Sequence, residues 1–208
     1  MRFPSFIAGL ALVVCGCATN SVQRTSPAPT HPVEPVRKVA VLAVYEGDFH
    51  RASVESHFGV QLRAGGQAAC VTHDLLSLAA IKADREAATA KLRARGVDAV
   101  LLIRLAGRTS ADRDVRATSS SYSATLTGYE PGDWYGGYSI AFMDMSTVWA
   151  SSRRDVYLDV SLFQLNDQKC LWSGQTASTL RDDTDRVEAL SALANKVVAA
   201  IRRDGFIH

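Results

Sequence analysis

The chain lacks most of what would announce a function. Lysine and arginine total 23 against 21 aspartate and glutamate, a formal charge of +2, so no basic field of the sort that nucleic-acid binding requires is present. Nucleic acid is set aside as a partner. Aromatics make up only 8% of the 208 residues, and no stretch approaches the roughly eighteen apolar residues of a spanning helix, which removes a polytopic membrane protein. Proline is nearly missing from the interior, since five of the six lie at or before Pro35. There is no nucleophile elbow, phosphate-binding glycine loop, dinucleotide fingerprint or zinc-protease helix. The expectation is a protein that is not an enzyme and holds no metal or cofactor.

What is present begins at the N-terminus. Arg2 precedes the apolar run Phe6 to Val14, the pattern of an export signal. At ~1.5 Å per residue that run covers about half of a ~30 Å hydrocarbon core, too little to anchor by spanning. It ends Val14-Cys15-Gly16-Cys17, which resembles the bacterial lipobox: an aliphatic residue three before the cysteine and a small one directly before it. Cys17 fits both positions, whereas Cys15 follows the bulky Val14 and belongs to the discarded peptide. The resemblance implies a signal peptide over 1–16 and a lipid-anchored Cys17 carrying acyl chains such as palmitate, each buried CH₂ contributing ~0.8 kcal/mol to membrane binding. The second mature residue, Ala18, stands where enteric inner-membrane lipoproteins carry aspartate, so the resemblance points to the outer membrane.

Pro27, Pro29, Pro32 and Pro35 alternate with Ser, Thr, Ala and His. Residues 17–37 therefore read as the lipidated cysteine and a Pro-rich tether, of which the seventeen residues Ser21 to Arg37, extended at ~3.1 Å each, reach roughly 50 Å and would stand the domain off the membrane. The folded domain is expected over 38–208. Val39 to Val44 is a continuous apolar run, a strand buried on both faces. Asp48 to Ala64 repeats Val54, Phe58 and Leu62 at helical spacing before Gly65 and Gly66, and Gln67 to Thr72 is a second strand. Asp84 caps a helix to Arg95 closed by Gly96, and Asp98 to Leu105 is a third strand. Val156, Leu158, Val160 and Leu162 alternate with polar or aromatic neighbours, and a turn at Asn166 to Lys169 leads into Cys170 to Thr176, an antiparallel hairpin. Leu190, Leu193, Val197, Val198 and Ile201 stripe a last helix that ends at Gly205. The predicted fold is α/β: a mixed sheet from βαβαβ, insertion, ββα, with three parallel strands, an antiparallel hairpin and helices packed on the sheet.

That order resembles the domain shared by the curli-pore lipoprotein, the penicillin-binding-protein activator lipoprotein and the TolB amino-terminal domain. A closer likeness, carried by Gly96 to Leu101, Tyr157 to Phe163 and Cys170 to Thr176, is to uncharacterised bacterial lipoproteins. The resemblance implies a non-enzymatic role in the cell envelope.

The insertion 110–150 holds Tyr122, Tyr129, Trp134, Tyr135, Tyr138, Phe142 and Trp149, half of the aromatics beyond the signal, on a Gly/Ser-rich backbone. Rigid aromatics on such a backbone suit a recognition loop, because they offer contact area at little rotamer cost. A β-hairpin extension packing these rings on the domain's own edge accounts for them equally well. A membrane-barrel hairpin, as in the curli pore, is weakened by Asp144 and the Gly136-Gly137 pair.

Few residues invite chemistry. His50 and His57 share a helix face, but two turns separate them by roughly 10.5 Å, too far for one zinc. His73-Asp74 follows the second strand, where open α/β sheets bind ligands, so a hydrolase site there is an alternative. Cys70 and Cys170 are expected as two reduced thiols, their strands lying at opposite sides of the sheet. The functional expectation is an outer-membrane lipoprotein facing the periplasm, bound to the membrane by its lipid and to an envelope protein or glycan through the insertion. The alternative is a homo-oligomeric ring or secretion-pore subunit. Metabolic labelling with a clickable fatty acid is expected to tag the wild-type chain and to leave a Cys17→Ala variant untagged.

Overall fold

The computed structural model describes residues 19–26, 35–45, 47–110, 154–180 and 186–208. Its elements are β1 (Thr19–Arg24), β2 (Lys38–Val44), α1 (Asp48–Ala64), β3 (Ala68–Val71), α2 (Leu78–Ala83), α3 (Arg85–Ala94), β4 (Ala99–Ser110), β5 (Arg154–Gln164), β6 (Cys170–Leu180) and α4 (Arg186–Arg203). They form one mixed six-stranded sheet in the order β1-β6-β5-β4-β2-β3. Strands β2, β3 and β4 are mutually parallel, and β5 and β6 form the antiparallel hairpin. This is the α/β arrangement that the apolar patterning predicts.

The chirality of the crossovers decides where the helices go. From β2 the chain moves outward to the edge strand β3, then back past β2 to β4. Right-handed connections in opposite directions must lie on opposite faces. Accordingly Val54, Phe58 and Leu62 of α1 pack in one core with Val39, Val41, Leu101, Ile103, Leu158 and Val160, a core that α4 completes through Leu193, Val197 and Ile201. Ile81 of α2 and Ala88 and Leu92 of α3 pack in the other, with Ala40, Leu42, Val100, Leu102 and Phe163. Covered on both sides, β2 reads as an unbroken apolar run. Its residues Val39 to Val44 are all buried, and each such side chain contributes about 1.5–3 kcal/mol. Helices α2 and α3 do not reach β6 and β1, so Tyr157, Asp159 and Ser161 stay half-buried on that side of β5.

Local chemistry sets the boundaries. Asp84 Oδ1 accepts from the Ala87 amide at 2.9 Å, capping α3, and Gly96 takes the left-handed φ of 71° that ends it. Ser77 caps the short helix α2 by accepting from the Ala80 amide. The sequence pattern predicts no element between Ser77 and Asp84, because the six residues of this helix are too few for a periodic signal. At the amino end of the parallel strands, the Asp98 carboxylate accepts from the amides of Arg37 and Lys38 at 2.8 and 2.7 Å, pinning β2 to β4.

The first strand corrects the expected domain start. Thr19–Arg24 pairs antiparallel with β6 from Thr19↔Thr179 to Arg24↔Gly174, so it belongs to the sheet and not to a tether over 17–37. Val22 packs against the core shared with α1 and α4, Lys196 Nζ donates to the Asn20 carbonyl at 2.7 Å, and Arg24 reaches Asp204 at 3.1 Å. The six residues alternate too weakly, and lie too near the signal, to be recognised as a strand without their partner. The proline-rich run now joins the ends of β1 and β2, four strand positions apart at the same end of the sheet.

Trp172 is fully buried and donates from Nε1 to Asp204 Oδ2 at 3.0 Å. A Cβ on Gly174 would collide with its ring, which is why glycine interrupts β6. Gly174→Ala is expected to destabilise the fold by about 1–3 kcal/mol, read as a lower urea midpoint at unchanged slope.

Candidate functional site

In an open α/β sheet ligands bind outside the carboxyl ends of the strands. Here the carboxyl ends of β2 and β3 are bridged by a side chain of α1. The apolar stripe of that helix also includes Arg51 and Glu55, which are 1% and 0% exposed. A charge so deep is tolerated only when its lone pairs are met. Glu55 Oε1 accepts from the Ala43 amide at 3.1 Å, from Arg51 Nε at 2.8 Å and from the Thr72 hydroxyl at 2.9 Å. Its Oε2 accepts from the amides of Thr72 and His73, both at 2.7 Å, and faces His73 Nδ1 at 3.0 Å. Arg51 Nη2 also donates to Thr72 Oγ1 at 2.8 Å.

A carboxylate has about four lone-pair sites, and this one is ringed by donors on both oxygens. It is engaged as a clamp that fastens α1 to the ends of β2 and β3, with no acceptor left for a substrate proton. The structure thus places His73 and Asp74 at the strand ends as expected, with His73 Nδ1 facing Glu55 Oε2 and Nε2 lying 3.2 Å from the exposed Asp74 Oδ1, two carboxylates that a neutral imidazole cannot serve at once. A shallow groove of about 320 Å³ beside this turn is bordered by Asp74, Leu75, Lys91, Ala94 and Arg95, and no nucleophile faces it.

The other histidines stay apart. His57 Nδ1 lies 2.7 Å from the Ser53 carbonyl, and His50 meets Phe49 edge-on at 5.7 Å. Among the described residues no three His, Cys, Asp or Glu side chains converge as metal ligands. Nor is any described helix long and apolar enough to cross a membrane. Cys70 and Cys170 form no disulfide. Their strands are four positions apart in the sheet, about 19 Å at ~4.8 Å per strand, well beyond the 7 Å reach of a bridge.

Two polar arrangements escaped the sequence reading. Arg51 and Glu55 were legible as an i,i+4 pair on the face of Val54 and Phe58, yet such pairs are ordinarily solvated. Arg104 lies inside the apolar run of β4 and was read as strand alone. It stands opposite Asp159, which stands opposite Gln175. Arg104 Nη2 meets Asp159 Oδ2 at 2.6 Å and Gln175 Nε2 donates to Asp159 Oδ1 at 3.0 Å, forming a polar ladder across the half of the sheet that α2 and α3 leave open. Cys17, Tyr122, Tyr129, Trp134, Tyr135, Tyr138, Phe142 and Trp149 lie outside the described residues. The ends that flank the aromatic segment do not: Ser110 pairs with Arg154.

No family model matches the chain, and no curated protein matches it. Solved structures give weak likenesses. A PelC point-variant dodecamer from Paraburkholderia phytofirmans is 15% identical with a TM-score of 0.49, covering 91% of this chain and all 100% of its own. A second PelC dodecamer from that organism scores 0.46 at 16% identity with the same coverages of 91% and 100%. The lipoprotein GNA1162 from Neisseria meningitidis scores 0.43 at 15% identity, over 80% of this chain and 98% of its own. Scores below 0.5 at such identities do not establish a shared role.

Removing one partner of the clamp leaves the other charge buried. Glu55→Ala is expected to cost about 3–5 kcal/mol, and the pair Arg51→Met with Glu55→Leu to recover only a part of it, because the amides of Ala43, Thr72 and His73 lose their acceptor, as measured by chemical denaturation. Burial pushes the Cys70 thiol above its ordinary pKa, and the carboxylate of Glu55 adds to this against the opposing field of Lys38 and Arg95. Less thiolate then forms at a given pH, so iodoacetamide is expected to alkylate Cys70 more slowly in the folded protein than in urea at mildly alkaline pH.

Proposed function

We propose that this chain is a membrane-anchored bacterial envelope lipoprotein, held in the outer membrane by Cys17 and facing the periplasm, and that its α/β domain is a non-enzymatic binding or accessory module. The observation that carries the second half is the saturated Glu55 clamp. It lies at the carboxyl ends of β2 and β3, the end of the sheet where open α/β folds bind ligands, and spends both carboxylate oxygens and Arg51 on holding secondary structure together. Recognition of an envelope protein or glycan then falls to the aromatic segment between Ser110 and Arg154. The lipobox at Cys17 supports the anchor.

A second reading, a homo-oligomeric ring or pore subunit, is favoured by the polar ladder of Arg104, Asp159 and Gln175 on the sheet face that no described helix covers. A hydrolase at His73 and Asp74 is the third reading, and the contact of His73 Nδ1 with the buried Glu55 counts against it.

A photoreactive residue in place of Trp134, activated in living cells, is expected to trap a specific envelope component, and deletion of residues 119–149 to abolish capture while the domain stays folded. Persistent capture by the deletion variant would move recognition elsewhere. In detergent, a mass of many copies would favour the ring, and a monomer or dimer would exclude it. Full function in the double variant His73→Ala, Asp74→Ala would dispose of the hydrolase.

A further inference from the structure

The pairing of β1 with β6 has a consequence for how the domain meets its membrane. Strand β1 runs opposite to β6, which itself runs opposite to β5. Thr19 therefore lies at the end of the sheet where β2, β3 and β4 finish, beside Thr179. The amino termini of α1 and α4 lie at this same end, because both helices run down toward the other: Arg202 near the end of α4 donates to the Gly65 carbonyl just after α1 at 3.2 Å. Only Ala18 separates Cys17 from β1. Two residue steps span at most about 7 Å, against the roughly 50 Å of a free seventeen-residue tether.

The strand is not loosely laid there. Six consecutive register pairs, the Lys196 bond to Asn20, the Arg24–Asp204 ion pair and the Arg24 guanidinium 5.6 Å over the Phe206 ring hold it along its length. Two of the three exposed large apolar side chains among the described residues flank the same end: Phe49, 81% exposed in the first turn of α1, and Val187, 60% exposed in the first turn of α4. Exposed apolar groups beside a lipid attachment point suit a bilayer surface, which accepts such side chains at headgroup depth.

Resting on the lipidation of Cys17 proposed above, we infer that the domain lies directly on the phospholipid surface with the carboxyl end of β2, β3 and β4 facing the headgroups, and is not displayed at a distance on a proline-rich stalk. Phe49 and Val187 are its contacts with lipid. The opposite end, with the β5–β6 turn at Lys169, points away from the membrane.

The test uses the full acylated chain in vesicles of phosphatidylethanolamine and phosphatidylglycerol, with p-benzoylphenylalanine placed in separate variants at positions 49, 187 and 169. Irradiation followed by mass spectrometry is expected to give phospholipid adducts at 49 and 187 and none at 169. All three positions are exposed, so the substitutions leave the core intact. An acylated chain with adducts at 169, or with none at 49 and 187, would overturn the orientation and leave the lipoprotein reading standing. A chain whose N-terminal mass carries no acyl groups would overturn that reading and the orientation with it.

Discussion

A buried carboxylate organises the working end of this sheet. Glu55 sits at zero exposure where β2 and β3 finish, and the amides of Ala43, Thr72 and His73 converge on it with Arg51 and the Thr72 hydroxyl. The desolvation cost of such a charge is several kcal/mol and is recovered only because every donor is in place at once. The cluster is therefore cooperative, and it fixes the height of α1 on the sheet. A side chain from the first helix thus ties together the carboxyl ends of β2 and β3 and makes this end of the sheet rigid.

That closure shifts attention to surfaces. Helices α1 and α4 cover one face of the sheet, while α2 and α3 cover only the strands nearest β3 on the other. The half that no described helix covers carries Tyr157, Asp159, Ser161 and Gln175, with Arg104 drawn into the ladder by Asp159. Such a face is neither an apolar core nor a freely solvated rim. The edge strand β1 closes one side of this half, so the sheet's hydrogen-bonding edge at β6 is not left as a template for other chains.

How much of this could be read without coordinates differs from element to element. Helix α1 was legible to the residue because Val54, Phe58 and Leu62 repeat at its period and two glycines stop it. The cap at Asp84, the hairpin around Asn166 to Lys169 and the separation of Cys70 from Cys170 followed from local chemistry and strand order. Strand β1 was not legible, since its six residues become a strand only through the partner they find some 155 positions later, at Gly174 to Thr179. His73 was picked out for its place after β3, but Glu55, the group that decides what His73 can do, was legible only as one half of a surface-type ion pair. The Arg104 ladder was hidden for the same reason: one arginine in an apolar run says nothing until Asp159 stands opposite.

The linear chain by itself determined what short-range physics can carry: alternation and helical period, caps and stops, and the α/β class of the sheet. Tertiary structure alone decided which charges were buried, that Thr19–Arg24 joins the sheet beside β6 and at which end of the sheet Thr19 lies. Those properties depend on contacts between residues far apart in sequence, and the free energy of a buried charge or an edge strand is set by the partner that folding brings to it, not by its neighbours along the backbone.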